Sequence, residues 1–571
     1  MYKKSGLFAL FLSLISVTVW AVGPVGTAPL NPDFVNYMEA RARGETAVDL
    51  ARGLGHVPPP YRLPPFTEEQ DRQLLARALP TSFDLRTAGK VTAIRDQGQE
   101  GACWSFATYG SMESCLLVKN AGTWDFSENH MVNLHGGDWG RNDGGNEFLA
   151  TAYLARWTGP VLETEDPYPS TTSPAGLSPR KHIQQVIYLP ARRSAGDNNA
   201  IKQALMDYGA LYTSMYAGNY LNEATAGYYY NGTKSPNHAV TIVGWDDNYS
   251  KNNFKTTPPG NGAFIVKNSW GTGWGASGYF YASYHDTKFG SENAAFMNAE
   301  ATSNYDKVYQ YDPLGMVTGF GYDDSVAWGA NMFSATASRN LRAVSFYAVE
   351  AGVKYEVYVY TGCSAGAPRS GSLRGQKSGT LSQAGYHTIA LSSAVSLTAG
   401  QRFSVVIKLT APTEGFPMPM EYVYPGYSSA ARAEPGQSFF SADGSDWRDL
   451  TSWNSTANFC IKAFAGTGSS PEPDPDPERI VANDFDGDGK SDYAIFHYSS
   501  GRWYIWSSRA RAWYVNGVQW GGYGYLPMPG DFDGRGKADA MAYSRWYSHF
   551  WGYCQESGGR ISVNAGGDSF I

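Results

Sequence analysis

The 571-residue chain carries a formal net charge of −7, with 42% hydrophobic, 15% aromatic and 17% charged residues. So small a charged fraction beside so many Tyr, Trp and Gly excludes a disordered chain, and an acidic balance without a long Lys/Arg run excludes the electrostatic footprint of a nucleic-acid binder. At about 150 residues per domain, the length calls for roughly three or four folded units.

Residues 1–21 open with Lys3 and Lys4, continue through an apolar run over 7–15 and reach Val19-Trp20-Ala21, the plan of a secretory signal peptide. The apolar run falls short of the roughly 20 residues that span a bilayer. A secreted or extracellular protein is therefore expected, at the cell surface or in the periplasm, with no transmembrane segment. Residues 22–79 are polar and proline-rich, with Pro58-Pro59-Pro60 and Pro64-Pro65, and end in one short helix announced by a Thr67/Gln70 capping box before Leu74 and Leu75. Too small for a core of its own, this stretch reads as a pro-segment or lid, with a plain linker as the alternative.

Residues 80–300 alternate helical and strand patterns: 104–118 reads as a helix, and 239–243, 263–266 and 278–282 as strands. Over 301–466, alternating runs separated by Gly and Ser indicate an all-β sandwich. Cys363 and Cys460 both fall within it, and a disulfide between them is expected, although two buried thiols leave the same signature. Residues 467–478 form an extended Pro/Asp/Glu linker. In the remaining module, 479–571, the run from Asp484 to Asp492 recurs 47 residues later from Asp531 to Asp539, each copy preceding a strand-like run. The expected architecture is thus multidomain: an α+β domain over 80–300, an all-β sandwich and a small β repeat module.

Acyl transfer by a thiol needs a thiolate, a cation to keep it ionised, a group to orient that cation, and donors for the oxyanion. One of each is present. Cys103 follows the small residues Gly101 and Ala102 and starts a helix whose N-terminal dipole favours a thiolate. His238 lies 135 residues downstream at the mouth of an apolar strand, and Asn268 lies 30 residues beyond it. Only folding can bring the three together. Cys115, twelve residues along the same helix, is rotated away and reads as a structural thiol.

The segments Gln97-Gly98-Gln99-Glu100-Gly101-Ala102-Cys103-Trp104-Ser105-Phe106, Asn237-His238-Ala239-Val240 and Asn268-Ser269-Trp270-Gly271 resemble the papain-like cysteine peptidases, over about 220 of the 571 residues. The resemblance implies two lobes, one helical and one β-rich, with the active site between them. It implies Cys103 as nucleophile, His238 as base, Asn268 as its orienting partner and Gln97 as oxyanion donor together with the Cys103 amide. Trp270 would shield the His238–Asn268 bond, and Gly144-Gly145 would pair with an extended substrate backbone. There are two departures: Glu100 replaces the family's structural cysteine, with no partner cysteine near Leu134, and the pro-segment lacks the family's long helical pattern.

In overall pattern and in Asn458-Phe459-Cys460-Ile461-Lys462-Ala463-Phe464, residues 301–466 resemble a lectin-like β-domain found after bacterial papain-like domains, which implies a carbohydrate or cell-surface ligand beside the peptide or protein substrate, with a merely structural β-domain as the alternative. Asp484, Asp486, Asp488 and Asp492, with the Lys490 carbonyl, have the odd-position spacing that wraps oxygens around Ca2+. With Ile495 at the twelfth position, this loop is not an EF-hand and resembles the calcium loops of FG-GAP or VCBS repeats. In the second copy Asp531, Asp533 and Asp539 remain, but Arg535 replaces an acidic ligand. No cofactor is expected for catalysis. The function expected is that of a secreted cysteine endopeptidase, held as a zymogen. Alternatives are an inactive, binding-dominated surface adhesin and a thiol acyltransferase on the same scaffold.

Overall fold

Residues 22–79, expected to hold one helix, hold two in the computed structural model, which describes residues 24–45, 54–75, 79–466 and shorter stretches between 481 and 564. The first, α1 (Pro32–Ala42), starts where Asn31 accepts the Asp33 amide and Pro32 fills the first turn. It buries Phe34 and Met38, one turn apart, and the Phe34 ring lies 5.2 Å from both Tyr424 and Tyr427. Two apolar anchors among polar neighbours leave too faint a period to read from sequence. The second, α2 (Glu68–Leu75), has the reciprocal cap that its sequence announces: Thr67 N–H donates to Gln70 Oε1 at 2.9 Å, and Gln70 N–H to Thr67 Oγ1 at 3.3 Å.

The helical lobe is built on α3 (Cys103–Val118), buried at every position except Leu117. A helix buried on all sides lies at the centre of a lobe, and α3 packs on the strands His238–Asp246 and Asn293–Glu300. Around it lie α4 (Glu128–Leu134), capped by Ser127, and α5 (Glu147–Ala155), capped by Asn146; α6 (Asn199–Tyr208) follows. The β-lobe strands pair in the order Asn293–Glu300, Leu211–Met215, His238–Asp246, Ala263–Lys267, Tyr279–Ser283. His238 begins the third of them.

The boundary expected at residue 300 is a change of fold type and not a gap in hydrogen bonding. The strand His182–Leu189 pairs on one side with Asn293–Glu300 and on the other with Ala384–Leu397, so one sheet runs on through Arg339–Ala348 and Lys462–Gly466 to Lys307–Tyr309. Opposite this extension lies a six-stranded antiparallel sheet centred on Val353–Thr361, Arg402–Thr410 and Val326–Ser334. Between them Leu341, Val344, Phe346, Val357, Val405 and Ile407 make the sandwich core. The N-terminal region joins here too: Gly26–Thr27 pairs antiparallel with Thr318–Gly321.

The expected disulfide is absent. Cys363 and Cys460 are both buried free thiols. Cys363 packs with Met332, Val406 and Phe439, whereas Cys460 belongs to a different cluster with Tyr347 and Tyr386. With each sulfur seated in its own apolar cluster, the Cβ atoms do not meet at the roughly 4 Å separation a disulfide requires.

Beyond the linker the described strands form two four-stranded antiparallel meanders, Val481–Asn483 to Ala512–Gln519 and Tyr525–Pro527 to Gly559–Asn564. Asp492 begins one strand, is buried, and accepts the Phe485 amide at 2.9 Å. The expected signal peptide, the linker, and Asp484, Asp486, Asp488, Lys490, Asp531, Asp533 and Asp539 lie outside the described residues. Among the described residues, no helix is long and apolar enough to cross a membrane.

Candidate active site

The site lies between the lobes. Helix α3 delivers Cys103 at its first turn, and Ala102 at the cap contributes no side-chain hydrogen bond, so the first amides of the helix stay available to an anion. The Ala239 N–H donates to Cys103 Sγ at 3.3 Å, which fixes the sulfur against the start of the strand that carries His238. His238 Nε2 donates to Asn268 Oδ1 at 2.8 Å. That bond leaves Nδ1 as the lone-pair nitrogen, buried and without a hydrogen-bond partner among the described residues. Trp270 lies over the imidazole with ring centroids 4.7 Å apart, which keeps water from the His238–Asn268 bond.

Gln97 is fully buried and clamped: its Nε2 donates to the Glu100 carbonyl at 2.8 Å, and its Oε1 accepts from Ser269 Oγ at 2.5 Å. One N–H of the amide is thereby committed and the other remains. Ser269, which sequence reasoning passed over, therefore orients this group. Glu100, in place of the family's cysteine, forms an ion pair with Arg141, whose guanidinium also donates to Asn129 and Asn133 and lies 5.1 Å from the Tyr168 ring centroid. The cross-link position is thus held by a cation, although the cation comes from residue 141 and not from near Leu134. Cys115 faces the other way, into a cluster with Leu205 and Leu211.

The cleft is filled by the chain's own N-terminal region. Gly145 N–H donates to the Gly55 carbonyl and Val57 N–H to the Gly145 carbonyl, both at 2.9 Å, which pairs residues 55–57 parallel to this glycine. On the opposite wall the amides of Gly55 and His56 both donate to the Asn237 carbonyl at 3.2 Å. Gly145 must be glycine, because a Cβ there would lie 2.4 Å from the Trp104 ring. Gly144, at φ +98°, makes the turn before it.

This filling sets the electrostatics. Cys103 is wholly buried, and burial pushes its thiol up to about 12 despite the amides of Ala239, Trp104 and Gly55. Burial likewise pushes His238 down to about 4, against its own hydrogen bond to Asn268 Oδ1, which favours the charged form. The pair is therefore neutral in this state, opposite in direction to the thiolate–imidazolium expected of an open cleft. Among the described residues, no group of three or more His, Cys, Asp or Glu side chains is arranged to hold a metal ion.

Two lobes, with a thiol on a helix and an imidazole–amide pair on the facing sheet, define the papain class of fold. The family described as papain family cysteine protease matches residues 79–299, and that described as lectin like domain matches 308–465. The chain therefore carries a papain-family cysteine peptidase domain followed by a lectin-like domain. It is 32% identical over 223 residues to a viral cathepsin of Choristoneura fumiferana defective polyhedrosis virus, covering 39% of this chain and 64% of that protein. To a cathepsin L-like proteinase of Fasciola hepatica it is 32% identical over 225 residues, covering 36% of this chain and 60% of that protein. It thus spans less than two thirds of the length of these curated relatives. The crystal structure of the cysteine protease and lectin-like domains of Cwp84, a surface layer associated protein of Clostridium difficile, aligns at 27% identity with a TM-score of 0.67, covering 78% of this chain and 98% of that one. A second structure of Cwp84, after propeptide cleavage, aligns at 28% identity with a TM-score of 0.60 over 68% and 99% of the two chains.

Proposed function

We propose that the protein is a secreted cysteine endopeptidase that hydrolyses peptide bonds with Cys103, His238, Asn268 and Gln97, and that residues 54–57 keep it latent until they are removed. The observation that carries this reading is the His238–Asn268 hydrogen bond, seated beside the Cys103 sulfur at the start of an uncapped helix. In this reading, release of the segment rehydrates the cleft, and the thiol proton passes to His238 Nδ1. The thiolate attacks the substrate carbonyl carbon, and the negative oxygen is held by the Cys103 amide and the uncommitted N–H of Gln97. The imidazolium then protonates the leaving amine, and water, deprotonated by the same imidazole, releases the acyl group.

Latency is supported by the backbone pairing of residues 55–57 with both cleft walls, and by the similar protein Cwp84, one structure of which is of the protein after propeptide cleavage. Export rests on the 1–21 pattern. A carbohydrate or cell-surface ligand for the lectin-like domain is supported by its family description, and Ca2+ in the C-terminal module by the Asp484–Asp492 spacing alone. Melting of that module in Ca2+ and in chelator tests the metal: the transition should rise with Ca2+, and Asp486→Ala should abolish the rise.

The activity is tested with a peptide library and a labelled amine donor. Processed protein should cleave the peptides and transfer no acyl group to the amine, and Cys103→Ala should abolish cleavage. Cleavage that survives Cys103→Ala removes the assignment.

A further inference from the structure

The first meander of the C-terminal module has two chemically different faces. Its strands alternate: Asp492–His497 buries Ala494 and Phe496, and Arg502–Ser507 buries Trp503 and Ile505, all packed with Ala540 and Ala542 of the second meander. The opposite face is bare. Tyr493 is 65% exposed, Ile495 49% and Trp513 48%, and Tyr504 and Trp506 are half-buried. Single exposed apolar side chains are ordinary, whereas a contiguous set of them marks a binding surface.

Strand register sets these residues in rows. Tyr493 stands opposite Trp506 and Trp506 opposite Trp513, so three rings cross three strands, and a strand spacing of about 4.8 Å makes the row about 10 Å long. The rings brace one another edge to face: Trp513 lies 5.3 Å from Trp506 at 88° and 6.2 Å from Tyr504 at 70°. The next row is Ile495, Tyr504 and Asn516, and the third is His497, Arg502 and Gln519. The described rings of this face belong to Tyr and Trp, which join an apolar body to a polar edge, whereas the covered face uses Phe, Ile and Ala beside Trp503. Charge gives the face a sign. Among the described residues of this meander, Arg502 and Arg511, the latter two residues before Trp513, are exposed cations, and the one carboxylate, Asp492, is buried. On a chain of net charge −7, this is a locally cationic surface.

We propose that this face binds an anionic glycan. The apolar C–H faces of its sugar rings lie on Tyr493, Trp506 and Trp513, its hydroxyls meet the ring edges and Asn516, and its acid groups meet Arg502 and Arg511. A second copy of the chain fits less well, because it would set the same cations against each other. The site is separate from the lectin-like domain, does not depend on the peptidase reading, and tethers the domains before residues 467–478 to whatever surface carries the glycan.

Affinity electrophoresis of the full-length chain tests the proposal. The probes are polygalacturonate, alginate and hyaluronate, with methyl-esterified polygalacturonate as an uncharged counterpart and poly-L-glutamate as charge without sugar rings. At least one of the three acidic polysaccharides should retard the protein, more strongly than the ester or the polypeptide, and added salt should weaken the retardation. Tyr493→Ala and Trp513→Ala should each raise Kd by about 10-fold, with the melting temperature unchanged because both rings are exposed. Arg511→Glu, which leaves the rings in place, should also raise Kd by about 10-fold, and it decides the matter if the ring variants do not fold. The proposal is overturned if none of the three polysaccharides binds, if poly-L-glutamate binds as well as they do, or if Arg511→Glu changes nothing. Binding that survives loss of both rings in a folded protein lies elsewhere, as in the lectin-like domain, and also overturns it. Sedimentation closes the remaining alternative: a dimer that Tyr493→Ala dissolves would assign the face to a second copy.

Discussion

The reactivity of Cys103 depends on the state of the cleft around it. In the closed form burial pushes its thiol up to about 12, so at pH 7 the sulfur stays protonated. With the segment gone, water, the first-turn amides and the imidazole all favour the charged pair, and the thiol value must fall while the imidazole value rises. Alkylation by iodoacetamide at pH 5–7 should therefore be at least about 10²-fold faster after processing. Cys115, whose thiol burial also holds at about 12, should stay unreactive in both forms. Activity of the processed enzyme should follow a bell against pH, rising as the coupled pair loses its first proton and falling as it loses its second. Gln97→Ala should lower kcat by roughly 10²-fold with labelling of Cys103 retained, the usual cost of one oxyanion donor.

At the scale of elements, one extended stretch, residues 54–57, fills the cleft, and its backbone fit is tight. A Cβ on Gly55 would lie 2.2 Å from the Gly101 carbonyl oxygen, a backbone atom that cannot move aside. Gly55→Ala should expel the stretch without touching the peptidase domain, and the unprocessed chain should then be alkylated at Cys103 at a rate near that of the processed one. A rate equal to that of the parent precursor would show that the stretch does not close the cleft. The loop before α3 offers a second case. The Glu100–Arg141 pair, 26% and 12% exposed at its two side chains, ties this loop to the residues after α4, where the family uses a disulfide. Arg141→Met should lower stability by about 2–3 kcal/mol, between the values for surface and buried pairs, read as a shift in denaturant midpoint at constant m.

Across the whole molecule, peptidase and lectin-like parts share a sheet and a core. Tyr188 in the strand His182–Leu189 pairs with Ala384, and Tyr347, Tyr386 and Cys460 belong to the same buried cluster as Cys103 and Trp104. The N-terminal region adds Phe34 to that cluster and pairs its strand Gly26–Thr27 with Thr318–Gly321. Residues 22–466 should therefore unfold in one calorimetric transition, and residues 79–300 alone, with the His182–Leu189 edge uncovered, should aggregate. Two separate transitions would show that the shared sheet does not couple the halves.

The sequence by itself determined the chemistry and its order along the chain. Small residues before Cys103, the helix that starts at it, a histidine at a strand mouth and the Thr67/Gln70 cap are local patterns, each set by neighbours within a few residues. What lay further apart was decided by tertiary structure. The disulfide expected between Cys363 and Cys460 was excluded by two separate hydrophobic clusters, and the sheet that crosses residue 300 depends on pairings about 200 residues apart in sequence. The neutral state of Cys103 and His238 arises from burial under residues 55–57, which no motif announces. Local periodicity and capping are written in adjacent residues, whereas desolvation and charge pairing belong to whatever the folded chain brings within a few ångströms.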